Sequence, residues 1–102
     1  MAENKNVRRA ALDILMRMEK DEGEGYSNRL IDSAISKHSF EGADRALLSQ
    51  IVSGVTERRI TLDFIIQKFS KAPLSKLDRD ALCLLRMGIY QLRYLDRIPQ
   101  HA

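Results

Sequence analysis

The middle of the chain decides the fold class: residues 44–66 read DRALLSQIVSGVTERRITLDFII. In the first part of this stretch, one face of a helix carries the apolar residues Leu47, Leu48, Ile51, Val52 and Val55. The second part repeats the helical spacing with Leu62, Ile65, Ile66 and, just beyond it, Phe69. Apolar residues three and four positions apart line one face of a helix. We therefore predict a helix over about residues 44–58 and a short one after it. Thr61 is expected to cap the second helix.

Helical spacing extends toward both ends of the chain. A first helix is predicted over about residues 6–20, where one face carries Val7, Ala11, Ile14, Leu15 and Met18. Ser27 is the expected N-cap of a second helix, whose apolar residues are Leu30, Ile31, Ala34 and Ile35. Pro73 interrupts the pattern, because proline cannot donate a backbone hydrogen bond within a continuing helix. No sustained alternation of apolar and polar residues indicates strands. We predict an all-α bundle of about five helices in one domain, residues 1–102.

The fifth helix is expected to begin at Asp78, a good N-cap residue. From residue 81 to residue 95 the sequence is apolar on nearly every side of a helix. We therefore expect this helix to be central, with the others packed around it. Gly88 in its middle costs about 1 kcal/mol relative to alanine, which indicates a close crossing of another helix there.

The composition is that of an ordinary globular domain. The chain has 102 residues, of which 44% are hydrophobic and 30% charged, and it contains one cysteine. A single cysteine cannot form an internal disulfide, and no N-terminal segment resembles a signal peptide. No stretch approaches the roughly 18 apolar residues of a membrane span. We expect a cytoplasmic protein that has no membrane partner.

The net charge of +3 hides an uneven distribution of charged residues along the chain. Residues 1–20 carry five basic and three acidic side chains, residues 21–44 carry two and six, and residues 45–102 carry ten and five. Two basic ends around an acidic middle are typical of a surface that binds a polyanion such as a nucleic acid.

The sequence contains no motif for catalysis or for metal or cofactor binding. Cys83 lies between two leucines of the fifth helix, and we expect it to be a buried, inert thiol. His38 and His101 are too far apart for a metal cluster, and His38 is expected at the end of a helix. Capping and the helix dipole explain Asp78 and Asp80. No glycine-rich phosphate loop follows a strand. We expect no metal, no cofactor and no catalytic residue in this chain.

Basic side chains cluster at the start of the first helix. Lys5 and Arg9 are four residues apart and stack on the face opposite the apolar stripe, with Arg8 at its edge. Such a cluster is either a phosphate-binding site or a solvated helix face. The helix dipole disfavours cations at this end, which slightly favours binding. Arg58 and Arg59 close the third helix, where the dipole favours cations, so a structural role explains them.

A second basic group lies on the fifth helix. Arg79, Arg86 and Arg93 recur every seven residues and form a column, with Tyr90 beside it. Because an arginine beside an aromatic ring can stack on bases and pair with phosphates, Arg86, Tyr90 and Arg93 are candidate RNA contacts. The alternative is that Arg86 pairs with a carboxylate such as Asp44 and serves the core.

Four stretches resemble one family of all-helical RNA-binding domains. They are NVRRAALDIL at residues 6–15, GYSN at 25–28, DRALLSQIVSGVTERRITLDFII at 44–66 and PLSKLDRDALCLLRMGIYQLRYLDRIP at 73–99. Together they cover nearly the whole chain and are similar to NusB-like domains. More narrowly, they resemble the N-terminal domain of the RsmB (Sun, Fmu) family of bacterial methyltransferases, which modify C5 of a cytosine in small-subunit ribosomal RNA. The resemblance implies a NusB-like bundle and RNA contacts by Arg8 and Arg9.

The resemblance also implies what this chain lacks. In that family a separate domain that uses S-adenosylmethionine follows the helical one. This chain is therefore expected to be a non-catalytic N-terminal fragment, without a cofactor and cut before the last helices of the bundle. Its expected partners are ribosomal RNA and the missing C-terminal methyltransferase domain. Apolar surface left bare on the third and fifth helices would favour a homodimer. The alternatives are a transcription antitermination module of the NusB type and a helical interaction domain.

Overall fold

The computed structural model describes residues 6–20 and 26–95, and for residue 26 the backbone alone. Five α-helices follow one another: α1 Val7–Lys20, α2 Tyr26–His38, α3 Ala43–Glu57, α4 Arg59–Phe69 and α5 Arg79–Tyr90. A 3₁₀ turn at Leu74–Lys76 precedes α5, and a π-helical turn at Gln91–Leu95 continues it. No strand occurs in the described part of the chain. The prediction of an all-α fold with about five helices is confirmed.

The chain divides into two compact units, Met1–Ser53 and Gly54–Ala102. The boundary falls inside α3, so this helix contributes residues to both units. A single domain over residues 1–102 stays a prediction, because two compact units can belong to one domain. No helix among the described residues is both long and apolar enough to cross a membrane. The cytoplasmic location also stays a prediction.

The apolar faces from which the helices of the first unit were predicted are buried. From α1 these residues are Val7, Ala10, Ala11, Ile14 and Leu15. The other buried apolar residues of this unit are Ile31, Phe40, Leu48, Ile51 and Val52. α1 packs against α2. The apolar stripes therefore account for the packing of this unit as well as for its helices.

The first two helices begin in different ways. Asn6 is the N-cap of α1, because its Oδ1 accepts a hydrogen bond from the backbone N–H of Arg9 at 3.0 Å. Ser27 is wrong as the N-cap of α2, since that helix already begins at Tyr26. Ser27 lies within its first turn.

α2 ends at His38, as predicted, in a tight backbone turn. The next residue, Ser39, has a left-handed conformation with φ +55°. This conformation lets the N–H of Phe40 donate to the C=O of Ile35 at 3.1 Å, which closes a Schellman motif. The ring of Phe40 is buried and stacks on that of His38, with 5.1 Å between the centroids. The turn thereby directs an aromatic side chain into the first unit.

α4 follows α3 almost without a break. Only Arg58 lies between them; its N–H donates to the C=O of Gly54 at 3.0 Å, and its C=O accepts from the N–H of Leu62 at 2.8 Å. Thr61 is therefore wrong as the N-cap of the fourth helix. It lies inside α4, and Arg58 occupies the cap position without a side-chain cap bond.

The link from α4 to α5 is held by side-chain hydrogen bonds. The Nε2 of Gln67 donates to the C=O of Ala72 at 3.0 Å, directly before Pro73 and the predicted interruption. α5 then starts as predicted, with the Oδ2 of Asp78 accepting a hydrogen bond from the N–H of Ala81 at 3.2 Å. Asp78 is therefore the N-cap, which is a structural role for this carboxylate.

α5 lies on the surface of its unit along one side. It packs on α4 and buries Cys83, Arg86, Met87 and Tyr90. Leu84 and Leu85, however, are 53% and 44% exposed. The prediction of a central helix is therefore wrong. Gly88 is also wrong as a crossing point, because a Cβ built on it meets nothing within 4 Å.

Apolar side chains remain exposed on the second unit. They are Ile60, Phe64 and Phe69 of α4, Leu84 and Leu85 of α5, and Leu92 of the π turn. The corresponding side chains of α3 are buried, namely Leu48, Ile51, Val52 and Val55. Bare apolar surface is therefore confirmed for the fifth helix and wrong for the third, and α4 also carries such surface.

Candidate nucleic-acid interface

The first candidate surface is the start of α1. Arg8 and Arg9 are both exposed there, and the first turn of α1 contains no acidic residue. The Nε of Arg9 donates to Asp13 Oδ1 at 3.3 Å, and both side chains are more than half exposed. An exposed pair four residues apart on a helix contributes only about 0.3–0.5 kcal/mol. A phosphate can therefore replace Asp13 as the partner of Arg9 at little cost. Lys5, the third predicted member of this cluster, lies outside the described residues.

Arg86 has a different environment from the one that RNA contact requires. Its side chain is buried and pairs with Asp63 of α4 through two hydrogen bonds, Nε to Oδ1 at 2.7 Å and Nη2 to Oδ2 at 3.0 Å. This two-point pairing braces α5 against α4. Such a structural pairing was the alternative expected for Arg86, with Asp44 as an example, and the partner is Asp63 instead. RNA contact by Arg86 stays a prediction, and its geometry favours the structural role.

Tyr90 is buried against α3. It is 3% exposed, and a Cβ built on Gly54 would overlap the phenol ring of Tyr90. Only a glycine permits this approach of the ring to the helix backbone. Gly54, rather than Gly88, is thus the glycine against which an aromatic side chain packs, and the buried ring of Tyr90 has little surface to offer a base.

Tyr90 belongs to a group of four side chains near the end of α5. The ring of Tyr94 stacks on that of Tyr90, with 5.3 Å between the centroids and 30° between the planes. The Arg58 Cζ lies 4.6 Å from the centroid of Tyr94 and 5.9 Å from that of Tyr90, and the Arg93 Cζ lies 5.9 Å from that of Tyr94. We call these four residues, Arg58, Tyr90, Arg93 and Tyr94, the Arg–Tyr cluster. Guanidinium groups at these distances from aromatic rings are attracted to them.

Sequence reasoning identified half of the Arg–Tyr cluster. Tyr90 and Arg93 were predicted as RNA contacts, whereas Arg58 was predicted to have a structural role at a helix end and Tyr94 was not predicted. The spacing of Tyr90 and Tyr94, four residues apart in YQLRY, would have placed both rings on one helix face. No local signal could link Arg58 to them, because it precedes Tyr90 by more than 30 residues.

Neither a metal centre nor a reactive thiol is present among the described residues. No group of three histidine, cysteine, aspartate or glutamate side chains in residues 6–20 and 26–95 could hold a metal ion. Cys83 is buried, as predicted, and forms no disulfide. A buried thiol is poorly placed to attack a substrate. The absence of metal and cofactor from the whole chain stays a prediction.

Comparison with known proteins identifies one family. A sequence model of the NusB family matches residues 5–102. The chain is 37% identical over 79 residues to a probable ribosomal RNA small subunit methyltransferase B of Synechocystis sp., covering 78% of this chain and 18% of that protein. The protein of the same name from Bacillus subtilis is 34% identical over 97 residues, covering 95% and 21%. The chain thus spans about a fifth of these relatives.

A second group of relatives has a different name. The transcription antitermination protein NusB of Acetivibrio thermocellus is 30% identical over 99 residues, which cover 90% of this chain and 66% of that protein. No solved structure gives a significant match to this chain.

Proposed function

The chain belongs to the NusB family, which confirms the resemblance seen in its sequence, and we propose that it is an RNA-binding domain. The observation that carries this proposal is the pair Arg8 and Arg9, exposed side by side in the first turn of α1. Both are long cationic side chains that can donate to phosphate oxygens. The exposed pair between Arg9 and Asp13 holds Arg9 only weakly, so the cost of rearranging it is small.

More specifically, we propose an accessory domain of a small-subunit ribosomal RNA methyltransferase. Relatives with that name match at 37% and 34% identity. They are about five times as long as the aligned region, which supports a catalytic domain outside the stretch that this chain shares with them. In this proposal the chain contributes RNA affinity, and its partners are ribosomal RNA and that catalytic domain. The chain alone should transfer no methyl group from S-adenosylmethionine to RNA.

The second candidate function is transcription antitermination. It is favoured by the NusB protein of Acetivibrio thermocellus, of which this chain covers a much larger share than of the methyltransferases. The two candidates share RNA binding and differ in the RNA that is bound. Competition between a small-subunit ribosomal RNA fragment and a transcribed leader RNA for the same chain separates them.

RNA binding itself is tested by the salt dependence of affinity for a ribosomal RNA fragment. The variant Arg8→Gln with Arg9→Gln should bind more weakly and should have a shallower slope of log affinity against log salt. If each arginine neutralises one phosphate, the slope falls by about 1.4–1.8. The helical circular dichroism of the variant should match that of the parent chain.

A matched control removes the same charge elsewhere. Arg29 and Arg45 are exposed near the starts of α2 and α3, so Arg29→Gln with Arg45→Gln has the same net charge as the test variant. The control should keep the parent slope. An equal loss in both double variants would show that net charge, and not the start of α1, attracts RNA. Absence of any RNA binding by the parent chain would refute the proposed function.

A further inference from the structure

The Arg–Tyr cluster joins two elements of the second unit. Arg58 follows the last residue of α3, and Tyr94 lies in the π turn that continues α5. Turns of π-helix are rare and frequently occur at functional sites. Gly54 has no side chain, which leaves room for the ring of Tyr90 against α3. Tyr94 in turn stacks on Tyr90.

The distances within the cluster show where Arg58 lies. Its Cζ is close to both ring centroids, 4.6 Å from Tyr94 and 5.9 Å from Tyr90, while the rings are 5.3 Å apart. Arg58 therefore lies beside both rings, and the ring of Tyr94 is only half-buried, so part of it remains accessible to a ligand.

Positive charge surrounds this ring. Arg58 and Arg93 both lie near it, and the ion pair of Arg58 with Glu57 among the described residues is long, at 3.9 Å, and the Glu57 side chain is mostly exposed. An exposed ion pair of this kind contributes little. An aromatic face with arginines at its border matches the chemistry of an unpaired nucleotide, whose base stacks on the ring while its phosphate pairs with a guanidinium.

We infer that the Arg–Tyr cluster binds an unpaired nucleobase on the ring of Tyr94, with Arg58 and Arg93 holding the adjoining phosphates. This inference rests on the proposed function, because it takes RNA as the ligand, and it adds that the RNA is single-stranded at this point. Tyr90 supports the platform and does not touch the base. A base paired inside a duplex is stacked on both faces and cannot lie on Tyr94.

The experiment uses a tryptophan at position 94 as its probe. The chain contains no tryptophan, so Tyr94→Trp introduces a single indole whose fluorescence is quenched when a base stacks on it. The titrants are a short single-stranded RNA, the same strand in a duplex, and the same strand with abasic sugars. Saturable quenching by the first and none by the other two is expected. Equal quenching by all three would overturn the inference.

The second readout is the RNA affinity of chains that do not carry the tryptophan probe. Tyr94→Leu should weaken binding of the single strand about ten-fold or more and leave duplex binding unchanged. Arg58→Lys keeps the charge but loses the planar group that stacks, and it should also weaken single-strand binding. The parent chain itself should discriminate against the abasic strand, a result that does not depend on whether any variant folds.

One control variant and one comparison of ligands distinguish the outcomes. Phe64→Trp places an indole at an exposed aromatic position of α4 that has a single lysine over it. Equal quenching there would mean that bases stack on any exposed ring, which overturns the inference. The abasic strand could bind as tightly as the parent strand while RNA affinity still depends on salt and on Arg8 and Arg9. That result would support the proposed function and refute the nucleobase site. If no RNA binds, both are refuted.

Discussion

Two glycines in the second unit should respond in opposite ways to the same substitution. A Cβ at Gly54 overlaps the buried ring of Tyr90, whereas a Cβ at Gly88 meets nothing within 4 Å. Both lie within α-helices, so alanine brings each a gain of about 1 kcal/mol in helix propensity. Gly88→Ala should therefore stabilise the chain by up to that amount.

Gly54→Ala carries an additional cost. The ring of Tyr90 is rigid and 3% exposed, so it can make room only by moving Tyr94, Arg58 or the helix backbone. Inserting a methyl group into a packed site costs about 1–3 kcal/mol. Since the propensity gain is common to both variants, the difference between them equals this steric cost. In a small domain, it corresponds to a difference of roughly 5 °C or more in melting temperature.

Urea denaturation followed by circular dichroism measures the free energy of unfolding of both variants. Combining Gly54→Ala with Tyr90→Leu removes the far end of the ring, so the steric cost should largely disappear in that background. A Gly54→Ala variant as stable as Gly88→Ala would refute the close approach of Tyr90 to α3. The same variant should also reduce quenching in the Tyr94→Trp background, because the platform under residue 94 is displaced.

Three other perturbations test the packing of the described residues. Asp63→Ala removes the carboxylate that pairs with the buried Arg86 and should destabilise the chain by about 3–5 kcal/mol. Asp13→Ala removes an exposed pair and should cost less than about 1 kcal/mol. Equal effects in urea melts would contradict the burial of the first pair. Ser39→Gly should raise the melting temperature, because glycine takes the left-handed conformation without the roughly 1–2 kcal/mol penalty of other residues; a lower temperature would argue against φ +55° at this turn. The chain should self-associate through exposed apolar side chains, and Leu92→Glu should shift it toward monomer; light scattering with a mass of 11.7 kDa at every concentration would contradict this.

The helices themselves could be predicted from the sequence because their signals are local. Apolar residues at helical spacing located α1 and α3 within one or two residues, and Asp78 marked the start of α5 through a hydrogen bond to a residue three positions away. Ser27 and Thr61 failed as caps for a related reason. The backbone is already helical before each of them, so neither residue occupies the N-cap position that its hydroxyl group favours.

The amino-acid sequence by itself determined the helical class, the approximate helix positions and the arginine pair at the start of α1, since each depends on residues close together in the chain. It also determined the family, whose sequence model matches residues 5–102. Tertiary structure alone decided the partner of Arg86, the glycine that the ring of Tyr90 packs against and the place of Arg58 in the Arg–Tyr cluster. In each case the interacting residues are more than 20 positions apart. Asp63 meets Arg86 only after α4 and α5 have packed, and Gly54 of α3 meets Tyr90 only once the second unit has folded. Helical periodicity specifies which face is apolar but not which residue of another helix will lie against it.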